Sequence, residues 1–234
     1  MIRRRRSCRS FAGVPVADDV LEKIKALSMK PLYPDIQVHW EIVDREQVKC
    51  ICPWTTPQLI TIYSEVKDGY LENVGFLFQQ MDLWLQSMDL GVCWLGMGKL
   101  APQTARSVDG MEFVIMLAFG HPKSEFLRED IREFKRKTLT DISDREDPRL
   151  ESARLAPSSV NSQPWYFIHE SDTIHVYCVQ QGILKNKPMG YMNRIDMGIA
   201  LAHLYVANPE SFSFFKADQC QTVKGYGYIG SVTL

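Results

Sequence analysis

The sequence predicts an α+β protein in which a β-sheet packs against two buried helices. Residues 73–90 carry apolar side chains on nearly every side of a helical pattern, which indicates a buried helix. Residues 113–119 form a short, uninterrupted apolar run that ends at Gly120, as is typical of an interior strand. Two β-rich runs, 165–169 and 173–179, flank a polar Glu-Ser-Asp turn, which predicts a hairpin.

The elements of the first half follow in order. Asp18 or Asp19 is expected to cap a helix that carries apolar residues as far as position 27. Alternation over 36–42 predicts a strand, and 59–63 predicts a second one. The helix over 73–90 is expected to stop at Gly91.

The second half is expected to begin near the polar, turn-rich stretch 141–148, which gives halves of 1–145 and 146–234 within one compact domain. The charge-dense stretch 124–136 before it predicts a solvated helix or loop. After the hairpin, 196–207 predicts a second apolar helix, and the ends 212–215 and 228–234 have strand character.

Composition narrows the class of protein. The chain has 234 residues and a net charge of −1, which disfavours a dedicated nucleic-acid binder. Its apolar runs are too short for a membrane span, and no secretory signal is recognisable, so a cytoplasmic location is expected. The histidines and cysteines lack zinc-site spacing, and no metal is expected. The cysteines are expected to be free thiols: Cys8, Cys50, Cys52, Cys93, Cys178 and Cys220.

Two segments carry chemistry. Residues 3–9 place several guanidinium groups around Ser7, and guanidinium matches phosphate oxygens in a bidentate manner. The arginines by themselves are equally compatible with a flexible basic tail or a nucleic-acid arm. Residues 156–165, Ala-Pro-Ser-Ser-Val-Asn-Ser-Gln-Pro-Trp, form a turn with two fixed amide side chains ahead of a strand; the alternative is an ordinary loop.

Together these strings resemble the FMN-dependent nitroreductase family, first through Arg-Arg-Ser-Cys-Arg-Ser-Phe at 5–11. The resemblance implies that Arg5, Arg6, Ser7 and Arg9 hold the ribityl phosphate and the N1–C2=O edge of FMN. The string at 156–165 resembles the family's APSxxNxQPW motif, which packs beside the flavin. The residues it implies are Pro157, Ser158, Ser159, Asn161 and Gln163.

Two further strings support the resemblance. Residues 90–96 are similar to the family's GLGxCWxG segment, whose backbone covers one face of the flavin and reaches N5. The matching positions are Trp94, Leu95, Gly96 and Met97. Arg136 and Lys137 lie in a short string that resembles the family's late phosphate-contacting segment, although a solvated charge run is nearly as good an interpretation.

The order of the motifs differs from that of the common family. There, APSxxNxQPW follows the arginine segment after about one helix, whereas here most of the chain lies between them. Residues 196–204 also resemble the family's DxGxAxxNL helix, so that helix is expected twice. The resemblance thus implies the branch with two tandem half-subunits in one chain, a nitroreductase-like fold and one FMN per chain. The expected assembly is a monomer that imitates a dimer, or a homodimer.

The implied activity is that of an FMN-dependent NAD(P)H oxidoreductase. NADH or NADPH would reduce the flavin, and a nitroaromatic, quinone or similar acceptor would then be reduced in a ping-pong cycle. The chemistry belongs to the cofactor, so no protein residue is expected to act as a catalytic acid or base. Three alternatives stay open: a specialised flavin enzyme of the same fold, a non-enzymatic flavin-binding protein or sensor, and a nucleic-acid binder that uses residues 3–6.

Overall fold

The computed structural model describes residues 1–49, 54, 56–180 and 186–234, which form two compact units. The first unit contains Met1, Arg3–Tyr70 and Met81–Ile131, and the second contains Ile2, Leu71–Gln80 and Arg132–Leu234. One continuous helix therefore supplies residues to both units. The sequence-predicted halves, 1–145 and 146–234, stay a prediction, because compactness alone does not show that two units are related half-subunits. Cys50 and Cys52 lie outside the described residues.

The first unit is built on a five-stranded antiparallel sheet with strand order β1-β3-β7-β4, and β6 also pairs with β7. Both interior strands are almost wholly buried, which explains their continuous apolar sequence. Its elements are α1 (Asp18–Lys25), β1 (Val38–Asp44), β2 (Val48–Lys49), β3 (Gln58–Ser64), the second part of α2 (Tyr70–Ser87), β4 (Gly91–Leu95), β5 (Lys99–Leu100), β6 (Ser107–Val108) and β7 (Met111–Gly120).

The second unit has a four-stranded antiparallel sheet of order β10-β11-β9-β8. The first part of α2 and the long helix α5 cross within this unit at two glycines. A Cβ on Gly75 would lie 2.1 Å from the Ile195 carbonyl oxygen, and one on Gly198 would lie 2.0 Å from that of Glu72. Its elements are α3 (Leu139–Ile142), α4 (Glu151–Arg154), β8 (Trp165–Glu170), β9 (Thr173–Val179), α5 (Asn186–Ala207), β10 (Ser213–Phe215) and β11 (Tyr226–Thr233).

The α+β prediction and the buried helix are confirmed. The expected single sheet is instead a larger sheet in each unit, and the first unit also has a two-stranded sheet of β2 and β5. The expected caps were wrong. Asp18 and Asp19 lie in the first turn of α1, where they favour the helix dipole, and the N-cap is Ala17. Helix α2 ends before Gly91: Asp89 takes the left-handed conformation, and Gly91 begins β4. The stretch 124–136 contains a short 3₁₀ turn, Ile131–Glu133.

Candidate functional site

In the first unit, the N-terminal arginine segment lies directly beside β4. Ser7 forms a parallel bridge with Val92, and the Cys8 N–H donates to the Val92 carbonyl oxygen at 2.9 Å. Gly91 makes this approach possible, because a Cβ there would come within 2.5 Å of the Cys8 sulfur. The structure therefore brings together two of the segments that the sequence associates with flavin, although almost 90 residues separate them in the chain.

A buried ion pair anchors this segment. Arg5 and Asp82 are 2% and 0% exposed, and an Arg5 terminal nitrogen donates to the carboxylate at 2.9 Å. The Arg5 Nε also donates to this carboxylate, and its terminal nitrogen reaches the Ser7 hydroxyl at 3.3 Å. One helical turn further along α2, the Gln86 side chain accepts the Arg6 N–H at 3.0 Å. Arg5 was predicted to bind phosphate, and here its described contacts hold the segment in place.

The other predicted residues of the first unit differ in exposure. Arg6 and Arg9 are exposed, and Ser7 between them is half-buried. Trp94 is half-buried and Leu95 is buried at the end of β4. Gly96 and Met97 then form an exposed turn that the hydrogen bond from Gly98 N–H to the Leu95 carbonyl oxygen closes.

Charges of both signs act on β4. Burial raises the pKa of the Cys93 thiol to about 11; the charges of Arg9 and Arg5 oppose this rise, and that of Asp82 adds to it. Because Asp82 is paired with Arg5, Arg9 is the cation that would favour an anion bound at this place. A phosphate group next to exposed Arg6, Ser7 and Arg9 would therefore meet the charge and the donors that it requires. These residues fit an FMN phosphate.

In the second unit, the segment 156–165 is a tightly bonded, irregular turn. This segment contains no glycine, yet Val160, Asn161 and Gln163 all have positive φ. Such conformations are costly and persist only where the surroundings hold them. The Gln163 N–H donates to the Ser158 hydroxyl at 2.9 Å, and the Gln163 side chain donates to the Asn161 carbonyl oxygen at 3.2 Å.

The basic pair at 136–137 packs against this same turn. Arg136 donates to the Asn161 side-chain oxygen at 2.6 Å and to the Ala156 carbonyl oxygen at 3.0 Å. The Lys137 backbone N–H donates to the Gln163 side chain at 2.8 Å, and its ammonium donates to the Gln163 carbonyl oxygen at 3.0 Å. The string at 136–137 was only a weak sequence signal, and the structure gives it a definite position beside the strongest motif.

A buried carboxylate on α5 completes the support of this turn. Both oxygens of Asp196 accept the Ser159 N–H at 3.0 Å, and the residue is 3% exposed. Burial raises the pKa of Asp196 to about 7, although the Ser159 hydrogen bond opposes that rise. Asp82 and Gln86 belong to no motif recognised in the sequence, and Asp196 was noted only as the first residue of the DxGxAxxNL-like string, with no role in the site. The available signal was an acidic or amide residue within an otherwise apolar helix, because such groups are rarely buried without partners.

The second unit also contains a cavity of about 340 Å³ that includes none of the sequence-predicted site residues. At this cavity, the His175 ring contacts the Glu170 carboxylate at 2.6 Å and the Ser231 hydroxyl at 2.8 Å. The sequence of carboxylate, imidazole and hydroxyl is the one found in a hydrolase triad. Ser231 is fully buried, so its hydroxyl is inaccessible to a substrate, and the three residues act as a cross-strand link. The cavity is lined by Ile168, His169, Glu170, His175, Gln219, Cys220 and Gln221.

Within residues 1–49, 54, 56–180 and 186–234, no helix has the length and apolar character that a membrane crossing requires. The same residues contain no cluster of His, Cys, Asp and Glu side chains that could hold a metal ion.

Comparisons with known proteins identify the family. The family model described as "Putative TM nitroreductase" matches residues 1–208. No curated protein matches the chain. Among solved structures, a putative nitroreductase from Thermotoga maritima MSB8 is 21% identical, with a TM-score of 0.66, over 99% of this chain and 89% of that one. This similarity shows the fold.

Two other solved structures are more distant. A nitroreductase family protein from Clostridium difficile 630 is 15% identical over 60% of this chain and 92% of that one, with a TM-score of 0.46. An FMN-dependent nitroreductase from Clostridium difficile R20291 is 14% identical over 57% of this chain and 92% of that one, with a TM-score of 0.42. The family assignment depends on neither of these, since the family model by itself spans most of the sequence: the chain belongs to the nitroreductase family.

Proposed function

We propose that the protein is an FMN-dependent oxidoreductase that uses NADH or NADPH to reduce nitroaromatic, quinone or similar small-molecule acceptors. Membership of the nitroreductase family supports the oxidoreductase class. The observation that carries the flavin proposal is the position of the arginine segment beside β4, with Arg6 and Arg9 exposed and the 96–97 turn at the end of the same strand. A phosphate anion is bound by cations and hydrogen-bond donors, and a flat ring system by an accessible surface, and this arrangement offers both.

Each group has a defined task in this proposal. When bound, FMN would supply the hydride chemistry, and the protein would supply binding, orientation and electrostatics. Arg6, Ser7 and Arg9 bind the anionic part, and Arg5 acts through Asp82 to hold them in register. The residues proposed to cover the ring are Trp94, Leu95, Gly96 and Met97. In the second unit, Pro157, Ser158, Ser159, Asn161 and Gln163, supported by Arg136 and Lys137, are proposed as further flavin contacts.

Purification of the protein with FMN tests the proposal directly. We expect a yellow protein with a flavin absorption band that bleaches rapidly when NADH or NADPH is added without oxygen. A protein that remains colourless after incubation with FMN would contradict the cofactor assignment. A flavin band that neither NADH nor NADPH bleaches would indicate a non-enzymatic flavin-binding protein instead.

Two matched arginine variants test the position of the cofactor. Arg3 and Arg9 are both exposed. They differ because burial raises the pKa of the Cys93 thiol in β4 and the charge of Arg9 opposes that rise, which places Arg9 near that strand. We expect Arg9→Ala to lose about tenfold or more in FMN affinity, the value of one charge-assisted hydrogen bond, and Arg3→Ala to lose little. Fluorescence titration of the apoprotein with FMN measures both. Equal losses would show that the flavin does not lie beside Arg9.

The second-unit turn is tested separately. Replacing Pro157, Ser158 and Ser159 by alanine should weaken FMN binding, because the Ser158 hydroxyl no longer holds Gln163. Urea unfolding of the variant checks that the protein still folds. Unchanged FMN affinity in a folded variant would remove this turn from the proposed flavin contacts and leave the first-unit residues to be judged by the arginine pair.

A further inference from the structure

The strained turn in the second unit depends on one carboxylate of α5. Asp196 directs both oxygens at the Ser159 N–H, 3.0 Å away, at the start of the 3₁₀ turn Ser159–Asn161. Val160, the next residue, has φ 47° and ψ 24°, a conformation that a β-branched side chain rarely adopts. The Ser159 hydrogen bond therefore fixes the backbone at the point where the strain begins.

Among the residues that the structure describes, Asp196 forms no ion pair, and the groups that favour its charge are the Ser159 N–H and the Ser162 side chain. Burial dominates its electrostatics and raises its pKa to about 7, so its charge changes near neutral pH. The other titratable group at this place is Cys178 on β9, whose pKa burial and the Asp196 charge raise to about 12. Cys178 therefore stays neutral while Asp196 titrates. The turn itself supplies serine, valine, asparagine and glutamine side chains, which do not titrate. The cations packed against it, Arg136 and Lys137, bind Asn161 and Gln163.

The protonation state of Asp196 changes what the side chain offers to Ser159. The ionised carboxylate can accept the N–H with either oxygen, and a charge-assisted bond of this kind is stronger than a neutral one. Protonation converts one oxygen into a hydroxyl that donates, so the symmetric arrangement with both oxygens at 3.0 Å is lost. The backbone next to Val160 then loses a charge-assisted restraint.

We propose that Asp196 is a positioning residue whose protonation state sets the conformation of the 158–163 turn and, through it, the affinity of the protein for flavin. The flavin part rests on the proposed function, whereas the link from Asp196 to the turn stands on the geometry alone. Asp196 makes no contact with the cofactor in this scheme; it acts through the Ser159 amide. Flavin binding is therefore tighter above neutral pH, where Asp196 is ionised and holds the turn.

The first experiment needs no flavin. In the apoprotein, the amide ¹⁵N and ¹H shifts of Ser159 are followed by NMR from about pH 5 to about pH 9, a range centred on the Asp196 transition. We expect a single titration near neutral pH in the wild type and none in Asp196→Asn. Asp172→Asn, which removes an exposed carboxylate in the β8–β9 turn of the same unit, should leave the Ser159 titration unchanged. A Ser159 amide that does not titrate in the wild type overturns the proposal, even if the Asp196 variant does not fold.

The second experiment measures flavin affinity at about pH 6 and about pH 8. Coupling between two sites is typically about 5–150-fold, and we expect the wild type to bind at least about fivefold more tightly at the higher pH. Because the phosphate of FMN itself titrates near pH 6, riboflavin is used as a second probe. Asp196→Asn should bind riboflavin with the same affinity at both pH values and should bind FMN with only the pH dependence that the phosphate causes. Asp172→Asn should behave as the wild type.

The outcomes separate the two proposals. If Ser159 titrates as expected and neither FMN nor riboflavin binds at any pH, the proposed function fails and the flavin part of this inference fails with it, while the positioning role of Asp196 is supported. If flavin binds and the wild type and Asp196→Asn show the same pH dependence, the proposed function survives and the control by Asp196 is overturned.

Discussion

The two segments that resemble flavin-site motifs are held by buried carboxylates in opposite electrostatic settings. In the first unit, Asp82 is paired with the Arg5 guanidinium at 2.9 Å. In the second unit, Asp196 accepts a backbone N–H and forms no ion pair within the described part of the chain, and burial moves its pKa to about 7. The same task, fixing an irregular segment to a helix, is thus achieved once by an ion pair and once by a carboxylate that can be neutral.

The difference teaches how pairing controls the response to pH. An ion pair is costly to bury and very costly to break, because removal of one partner leaves a buried charge without compensation. A carboxylate without a cationic partner avoids much of the desolvation cost because it becomes protonated. The 158–163 turn should therefore respond to pH through Asp196.

The largest expected effect comes from breaking the ion pair. Asp82→Ala leaves the Arg5 guanidinium buried without its partner, and we expect a loss of about 3–5 kcal/mol in the free energy of unfolding. Urea unfolding followed by tryptophan fluorescence measures it. The double variant Arg5→Met, Asp82→Leu removes both charges and should recover most of that stability. A single variant that unfolds at the wild-type urea concentration would show that the pair is not buried in solution.

The second effect is a pH dependence of stability that Asp196 contributes. Its pKa in the folded protein, about 7, lies above the unfolded value of 3.8. Between these values the folded state retains a proton that the unfolded state releases, so stability falls as the pH rises, by about 1.4 kcal/mol per pH unit. Above pH about 7 the contribution is constant. Asp196→Asn should remove this slope, and equal slopes in both proteins between about pH 5 and about pH 7 would contradict the assignment.

The smallest effects compare two glycines. Gly198→Ala places a Cβ 2.0 Å from the Glu72 carbonyl oxygen in the second unit, and this backbone cannot move without shifting α2. We expect it to cost about 1–3 kcal/mol. Gly91→Ala in the first unit would place its Cβ 2.5 Å from the Cys8 sulfur and 2.7 Å from the Cys8 Cβ. The sulfur can rotate, and the Cβ can move with the irregular N-terminal segment, so we expect a smaller cost of about 1 kcal/mol. Thermal unfolding ranks the two, and a larger loss for Gly91→Ala would reverse the interpretation.

Much of the local structure could be predicted from the sequence. The buried helix α2, the interior strand β7 and the hairpin β8–β9 were recognisable because apolar periodicity and turn residues act over short distances. The caps were not, because Ala17 and Asp89 occupy positions that typical capping preferences assign to other residues. The two irregular segments were found by their resemblance to family motifs, and periodicity alone did not distinguish them from loops.

The sequence by itself determined the fold class, the family and the segments in which cofactor chemistry is to be sought. Only the tertiary structure decided which groups hold those segments. Arg5 meets Asp82 across 77 positions, and Ser159 meets Asp196 across 37. Such pairs leave no periodic trace in the sequence, because the partner of a buried charge is chosen by the packing of distant elements, and burial itself then sets whether that charge persists.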